Sequence, residues 1–405
     1  MKKFFQSLNG NDQYMIGNLF FLYLIQGVFV ILIGSILPMM KEEYGLSYQI
    51  GGFLISAHSI GNMAAGLFAG LIPLTIGLKR SLMVLNPLTF IGFAITLITG
   101  NPYLLIAALL LTGLGRGAVS NYNNHAVSAL SGGSSAPLNA LHGFFAIGAV
   151  SAPFLALICN RVFGDSGWRY ALYVVIALGI ISMITSGFMK MDSISYERPK
   201  NAGNSFGFFK EKLFWYTIFI MFFYLCVEAS VMGWMVTYYT DSGVVQADSA
   251  QLLTSLLWIV ILLGRFGCSA LGSRMTSAKL IRMLSTGIVV FLVVLVMSHS
   301  LVPMLIGTIG LGLSLSGMYG TTVSNAGDVF GRYPLAMSVF ITLTNPGSIL
   351  TPSIVGSVAE MAGIRLGMGV LLVPAAVLFV LALFNKGPQT AKAKAESVLG
   401  LKTEC

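Results

Sequence analysis

Residues 14–38 read YMIGNLFFLYLIQGVFVILIGSILP, and this stretch decides the fold. It contains no charged residue, and a helix needs about 20 apolar residues to cross the hydrocarbon core of a bilayer. Similar apolar runs, bounded by charged residues, Pro or Gly clusters, follow along the chain. We predict an all-α membrane protein with twelve spanning helices, at residues 14–38, 50–75, 81–99, 102–127, 137–159, 168–189, 213–239, 250–273, 279–298, 302–325, 334–358 and 365–385.

The composition excludes a soluble globular protein. Of the 405 residues, 56% are hydrophobic and only 9% are charged, and the mean hydropathy is +0.84. Soluble domains carry about 25% charged residues, so the partner that this composition indicates is the lipid bilayer. The net charge of +9 does not indicate a nucleic-acid partner, because the basic residues are spread over short loops. The first apolar run has no small-residue cleavage site, and we interpret it as a retained span.

The Lys and Arg residues fall mainly in alternate loops. They cluster after the second predicted span, in the segment 190–212 and after the last span. Loops rich in Lys and Arg stay on the cytoplasmic side, so we predict a multi-pass protein of the plasma (inner) membrane with both termini cytoplasmic. The polar segment at the midpoint divides the chain into an N-terminal six-helix bundle (1–189), a cytoplasmic linker (190–212), a C-terminal six-helix bundle (213–385) and a cytoplasmic tail (386–405).

Two short patterns recur six helices apart. The fifth span contains GAVSAP at residues 148–153, and the eleventh contains GSILTP at residues 347–352, with the same spacing of Gly and Pro. The fourth and tenth spans each carry GLG, at residues 113–115 and 310–312. Together these matches predict two halves that are parallel six-helix repeats.

This organisation resembles the major facilitator superfamily over nearly the whole chain. The resemblance implies two bundles around a central cavity, lined by the first, fourth, seventh and tenth helices. It also implies alternating access, in which the bundles rock to open the cavity to one side at a time. Within the superfamily, LNALHGFFAIGA at residues 138–149 and FYLCVE at residues 223–228 resemble the fifth and seventh helices of the fucose/glucose–galactose:proton symporter branch.

That branch implies a secondary active transporter that takes up a sugar together with protons. The acidic residues that its sugar symporters carry in the first and fourth helices fall on Gly34 and Ser120 here. With Arg116 in the fourth helix, this difference favours a sugar-like organic acid as substrate. The alternative is an exporter of amphipathic drugs or metabolites. A third class is a membrane receptor or sensor with a transporter fold.

Glu228 and Arg116 are charged residues near the middle of predicted spans. A charged side chain at the bilayer centre costs about 2.5–3.5 kcal/mol on insertion scales, so it marks a cavity, a partner or a function. Glu228 can carry a coupling proton, accept hydrogen bonds from substrate hydroxyls, or pair with groups of a neighbouring helix. Arg116 can pair with Glu228, bind an anionic substrate through its planar guanidinium, or be held by carbonyl groups of its own half.

Other polar residues of the spans complete the predicted substrate-binding set. Arg116, Ser120 and Asn123 fall on one helical stripe at i, i+4 and i+7, and such a stripe suits a polyhydroxylated ligand. The remaining members of the set, beside Glu228, are Gln26, Tyr23, Tyr224, Asn345 and Asn124. Three residues are interpreted as gating or structural, namely His142, Asn139 and Arg265. His58 and Asn62, four residues apart, are interpreted as a structural pair.

Enzymes and ATP-driven pumps are disfavoured by the motifs that the sequence lacks. A P-loop, a GxSxG elbow and an HExxH zinc motif are all missing. The four Cys are far apart in the sequence, at Cys159, Cys226, Cys268 and Cys405. We therefore predict no enzymatic activity, no metal and no cofactor. The expected form is a monomer whose partners are a small-molecule substrate, protons and the lipid bilayer.

Overall fold

The structure, a computed structural model, describes residues 8–68, 71–131, 135–191, 194, 206–272, 274–385 and 387. These residues form twelve membrane-spanning helices joined mostly by short turns. In chain order the helices are α1 Gly10–Tyr44, α2 Tyr48–Phe68, α3 Leu78–Ile98, α4 Pro102–Leu130, α5 Ser135–Phe163, α6 Gly167–Gly187, α7 Lys212–Asp241, α8 Ala247–Gly272, α9 Ser277–Val296, α10 Leu301–Asn325, α11 Pro334–Thr344 with Pro346–Ala362, and α12 Ile364–Phe384.

The number of spans agrees with the length and polarity of these helices. Within the described ranges, nine segments are individually long and apolar enough to cross a bilayer. One of them, Pro137–Gly187, contains both α5 and α6. The helix α2 and the two-part helix α11 complete the twelve. The predicted all-α fold of twelve spans in two six-helix bundles is therefore confirmed.

Two helices differ from the predicted boundaries, and in each case a proline begins the following helical segment. The second span was expected to reach residue 75, but α2 ends at Phe68 and a separate short helix, Pro73–Ile76, follows. The helix α11 is interrupted at Asn345, and Pro346 begins its second part. Proline has no N–H to donate within a helix and is favoured at the first helical position.

The domain boundaries can be located only in part. A 3₁₀-helix at Phe206–Lys210 directly precedes α7. Most of the predicted linker (190–212) and of the predicted tail (386–405) lies outside the described residues. The four domain bounds therefore stay a prediction.

The glycine of each predicted repeat lies where two helices cross. Gly148 of α5 packs against the backbone at Leu24 of α1, and Gly347 of α11 packs against the backbone at Phe222 of α7. A Cβ at either position would collide with a carbonyl oxygen, so glycine is what permits this close approach. The pairs α1–α5 and α7–α11 occupy equivalent places in the two halves, as the repeated sequence pattern predicts.

A side chain at the α1–α5 crossing is expected to destabilise the protein. Gly27 of α1 faces the carbonyl of Phe145, where a Cβ has no space, so Gly27→Leu must push the helices apart. Overpacking of this kind costs roughly 1–3 kcal/mol or more, and the midpoint of thermal unfolding in detergent should fall by several degrees. Gly17→Leu is the matched control, because a Cβ at Gly17 meets no heavy atom within 4 Å. Equal unfolding midpoints for the two variants would contradict the close approach of α1 and α5 at Gly27.

Candidate functional site

A cavity of about 1040 Å³ lies between the two bundles. The predicted helices α1, α4, α7 and α10 all line it, and α2, α5, α8 and α11 contribute as well. The wall is rich in groups that form hydrogen bonds or carry charge. The larger polar residues among them are Tyr23, Gln26, His58, Asn62, Arg116, Ser120, Asn121, Asn139, His142, Tyr224, Glu228, Arg265, Tyr319 and Asn345.

The cavity opens at one end of the molecule. Its wall reaches Gly272 and Ser277, on either side of the turn between α8 and α9. At the opposite end, which carries the α1–α2 turn, the two bundles are in direct contact. The structure is therefore one state of a cavity that is open to a single side.

An ionic cluster holds the closed end together. Lys41 of α1 donates to Asp241 Oδ2 of α7 at 2.9 Å, and the Tyr48 hydroxyl of α2 donates to the same oxygen at 2.8 Å. The Tyr48 backbone N–H donates to Glu360 of α11 at 2.7 Å. The Lys41 and Asp241 side chains are only 16% and 21% exposed. This partial burial strengthens their attraction relative to a surface pair.

A second layer of contacts lies between this cluster and the cavity. Gln251 of α8 donates to the Ser35 carbonyl of α1 at 2.8 Å, and the hydroxyls of Ser56 in α2 and Ser353 in α11 are 2.6 Å apart. Gly34 of α1 packs directly on the backbone of α7 at Met232. Backbones this close leave no passage for a solute, so the closed end is sealed by packing as well as by charge.

Glu228 lies in the cavity wall and is half-buried. The hydroxyl of Tyr224, one turn earlier on α7, donates to Glu228 Oε1 at 2.6 Å. The carboxylate interacts electrostatically with both Arg116 and Arg265. One carboxylate thus faces the cavity between two guanidinium groups, one from each bundle.

Arg116 lies in the opposite wall, on α4, and is also half-buried. Among the described residues it has no hydrogen-bond acceptor within reach and no carboxylate within 4.0 Å. It interacts with Glu228 only across the cavity. Of the three roles considered for Arg116, neither a direct ion pair with Glu228 nor fixation by nearby carbonyls is found in this state. Its planar fork of donors faces the cavity and can bind a carboxylate there.

Arg265 contributes more to the cavity than the sequence indicated. It was interpreted as gating or structural, but its side chain is exposed in the cavity wall. It interacts electrostatically with Glu228 and with His142. The described part of the wall therefore holds two guanidinium groups and one carboxylate, an excess of positive charge that attracts anions. The spacing of seven residues between Trp258 and Arg265, both in the wall, is the signal that places Arg265 on the cavity face of α8.

Tyr23 and Ser120, both members of the predicted set, meet in the cavity wall. The Tyr23 hydroxyl is 2.9 Å from Ser120 Oγ and accepts a hydrogen bond from Asn124 Nδ2 at 2.8 Å. Asn124 thus fixes the orientation of Tyr23 and is not itself among the residues that line the cavity. The predicted contact of Asn124 with substrate stays a prediction.

Asn123 corrects the predicted stripe on α4. Its side chain is fully buried and donates to the Leu19 carbonyl of α1 at 3.1 Å. The helix α1 covers this part of α4, so the amide joins the two helices and does not reach the cavity. Asn121 is the α4 amide that lines the wall.

The remaining predicted residues lie in the wall near the open half. Asn345 lines the cavity at the break in α11 and donates to the Ile341 carbonyl at 2.7 Å. Asn139 and His142 line it from α5. The His142 ring meets the Tyr23 ring edge-on, with centroids 5.3 Å apart. Their interpretation as gating or structural residues stays a prediction.

His58, which was interpreted as one member of a structural pair with Asn62, lines the cavity. It is 7% exposed, and its Nδ1 lies 2.9 Å from Thr112 Oγ1 of α4. Its Nε2 has no hydrogen-bond partner among the described residues, and the same holds for Oε1 of Gln26. Both residues line the cavity. A helical face shared by His58, Asn62 and Gly66, all wall residues, is the signal that could have identified it.

Twelve helices in two bundles around a polar cavity define a membrane transporter, and the chain belongs to the Major Facilitator Superfamily, whose family model matches residues 19–328. It is therefore a transporter and not an enzyme. The curated glucose/mannose transporter GlcP of Bacillus subtilis (strain 168) is 22% identical over 382 residues, covering 90% of this chain and 92% of the relative.

Solved structures agree with this fold. The E. coli fucose:proton symporter FucP, in a point-variant form, matches with a TM-score of 0.62 at 18% identity, over 92% of this chain and 98% of that one. A bacterial homologue of the human lysosomal transporter Spinster, in the inward-facing and unoccupied conformation, matches with a TM-score of 0.77 at 12% identity, over 94% and 98%.

Proposed function

We propose that this protein is a secondary active transporter that takes up a sugar or a sugar-like organic acid together with protons, by alternating access. The observation that carries the proposal is the cavity itself, in which Glu228 faces Arg116 and Arg265 while the opposite end is closed. We further propose that it resides in the plasma (inner) membrane with both termini cytoplasmic. The distribution of Lys and Arg supports this orientation, which makes the open end the cytoplasmic one.

Relatives support the substrate class. The full-length curated relative is described as a glucose/mannose transporter. Solved structures with the same fold are described as a fucose:proton symporter and a D-xylose–proton symporter. The wall of this cavity supplies hydroxyl, amide, imidazole and guanidinium groups, which suit a polyhydroxylated ligand better than an amphipathic cation.

The environment of Glu228 supports proton coupling. It is the one carboxylate that the described part of the chain contributes to the cavity wall. A carboxylate in such a site changes its proton affinity when nearby charges or water move away. Arg265 belongs to the same bundle as Glu228 and Arg116 to the other, so rocking of the bundles changes the distance between Arg116 and Glu228. Proton binding and the conformational change are thereby linked.

Uptake into proteoliposomes tests the proposal. Vesicles with the purified protein and an inward proton gradient are given labelled neutral hexoses, hexonates or lipophilic cations. We expect accumulation of at least one hexose or hexonate above its equilibrium level, and its loss when a protonophore collapses the gradient. Movement of lipophilic cations alone would favour the exporter alternative. Binding without flux would favour a receptor, and both results contradict the proposal.

A further inference from the structure

We propose that Arg116, His58 and Gln26 form a subsite for a polyhydroxylated monocarboxylate, such as an aldonic acid of hexose size. This inference rests on the proposed transport function and narrows its substrate class. In this subsite the guanidinium of Arg116 binds the carboxylate, and His58 Nε2 and Gln26 Oε1 accept hydrogen bonds from ligand hydroxyls.

The three side chains come from helices that converge in the N-terminal bundle. The helices α2 and α4 touch at His58 and Gly113, one turn before Arg116, because glycine allows the α2 backbone to approach. Arg116 interacts electrostatically with His58 and also with Tyr23 of α1. Gln26 lies one turn beyond Tyr23 on the same face of α1 and lines the same cavity.

Hydrogen bonding to Thr112 determines which ring nitrogen of His58 carries the proton. The Thr112 hydroxyl donates its proton to the Leu109 carbonyl at 2.6 Å. It can therefore only accept from the imidazole, which places the ring proton on Nδ1 at the 2.9 Å contact. In the neutral ring, Nε2 is then a bare acceptor. This atom is buried and has no partner among the described residues.

Gln26 presents a second acceptor of the same kind. Its side chain is only 2% exposed, and Oε1 is a buried oxygen without a partner in the described part of the chain. Native proteins pair nearly all such atoms. Two unpaired acceptors in one wall therefore indicate a ligand that brings hydroxyl donors.

Charge selects the acid over the neutral sugar. A neutral hexose can donate to His58 and Gln26 but leaves the Arg116 guanidinium without an anion. Two guanidinium groups and one carboxylate give the described part of the wall a net positive charge of one, which a single carboxylate balances, whereas the second negative charge of a hexose phosphate is left without a partner. One carboxylate beside several hydroxyls matches the donors and acceptors that the wall offers.

Equilibrium binding to the full chain in nanodiscs tests the subsite, with Trp258 of the cavity wall as a fluorescent reporter and calorimetry as a second method. The probes are the hexonates gluconate, galactonate and mannonate, their parent hexoses, and glucose 6-phosphate. We expect at least one hexonate to bind roughly tenfold tighter than its parent hexose. Arg116→Gln should abolish this preference. Equal affinities for acid and hexose, or tighter binding of the phosphate, would overturn the proposal.

His58→Asn separates a ligand contact from a structural role. The Asn amide can replace Nδ1 as donor to Thr112 but does not reach the position of Nε2. We expect hexonate affinity to fall roughly tenfold, and removal of the matching ligand hydroxyl in a 2-deoxy hexonate to add little further loss in this variant. His299→Asn, at an exposed His outside the cavity, is the control and should bind like the unmodified protein.

If the losses of affinity caused by His58→Asn and by the 2-deoxy hexonate are additive, His58 has a structural role and its part in the subsite is overturned. If His58→Asn does not fold, Gln26→Met gives the same test, because it removes the acceptor Oε1 and keeps the length of the side chain. Proton-driven uptake of neutral hexose with no preference for acids would refute the subsite and leave the proposed function standing. Absence of any proton-driven uptake would instead refute the proposed function.

Discussion

Replacement of Glu228 by Gln is expected to abolish proton-driven accumulation of substrate and to preserve exchange of labelled for unlabelled substrate. Gln has the same size as Glu, and its carbonyl oxygen can still accept the hydrogen bond from Tyr224. It cannot bind and release a proton in the relevant pH range. Transport steps that need a proton are therefore lost, and steps that only need the cavity to open and close remain.

The measurement compares uptake with and without a pH gradient, and counterflow without a gradient, in the same proteoliposomes. Glu42→Gln is the matched control, because it removes an exposed carboxylate at the closed end and should leave coupling unchanged. Undiminished accumulation driven by the pH gradient in Glu228→Gln would exclude Glu228 as the coupling residue. Loss of exchange as well as accumulation would assign Glu228 to substrate binding.

Replacement of Asp241 by Ala is expected to open the closed end more often. The carboxylate accepts hydrogen bonds from Lys41 and from Tyr48 across the bundle interface. Each charge-assisted hydrogen bond contributes roughly 1.5–3 kcal/mol, and each 1.4 kcal/mol changes an equilibrium about tenfold. The population that is open at this end should therefore rise by roughly tenfold or more.

A cysteine at Ser35 reports this population. Ser35 is 1% exposed and its carbonyl is bonded to Gln251 in the closed state, so a thiol there reacts only when the closed end opens. In nanodiscs, with the four native Cys replaced, a bulky maleimide should label Ser35→Cys about tenfold faster when Asp241→Ala is also present.

Asp248→Ala is the control for this experiment. Asp248 pairs with Arg161 across the same interface, but their side chains are 45% and 62% exposed. Such a pair contributes little to stability. We expect labelling to change by less than about twofold. Equal labelling rates in the Asp241 and Asp248 variants would show that the ionic cluster does not hold the end closed.

The sequence predicted the architecture because a bilayer imposes strict requirements on helix length and polarity. An uncharged run such as residues 14–38 has few other structures available to it. The same physics identified Arg116 and Glu228, since a charge within a span must face a cavity or a partner. Both residues do lie in the cavity wall.

The sequence did not determine which polar residues reach the cavity. Asn123 shares a helical stripe with Arg116, yet α1 covers it. Arg265 was interpreted as gating or structural, and its position in the cavity wall could not be derived from the sequence. Whether such a residue reaches the cavity depends on the tilt and contacts of the neighbouring helices. Helical periodicity in the sequence gives no information about either. His58 was interpreted as structural for a related reason, because the sequence does not show which of its two ring nitrogens is bonded to Thr112 and which is left without a partner.

Because the cavity is large, the conformational equilibrium of this protein should depend on the thermodynamic activity of water. Its volume of about 1040 Å³ has room for roughly 35 water molecules at about 30 Å³ each. A hexose displaces only part of that content, so the bundles must expel the rest when they close. Polymers too large to enter the cavity withdraw water from it and should favour closed states. Osmotic pressure thus becomes a thermodynamic force on the transport cycle, independent of the proton gradient.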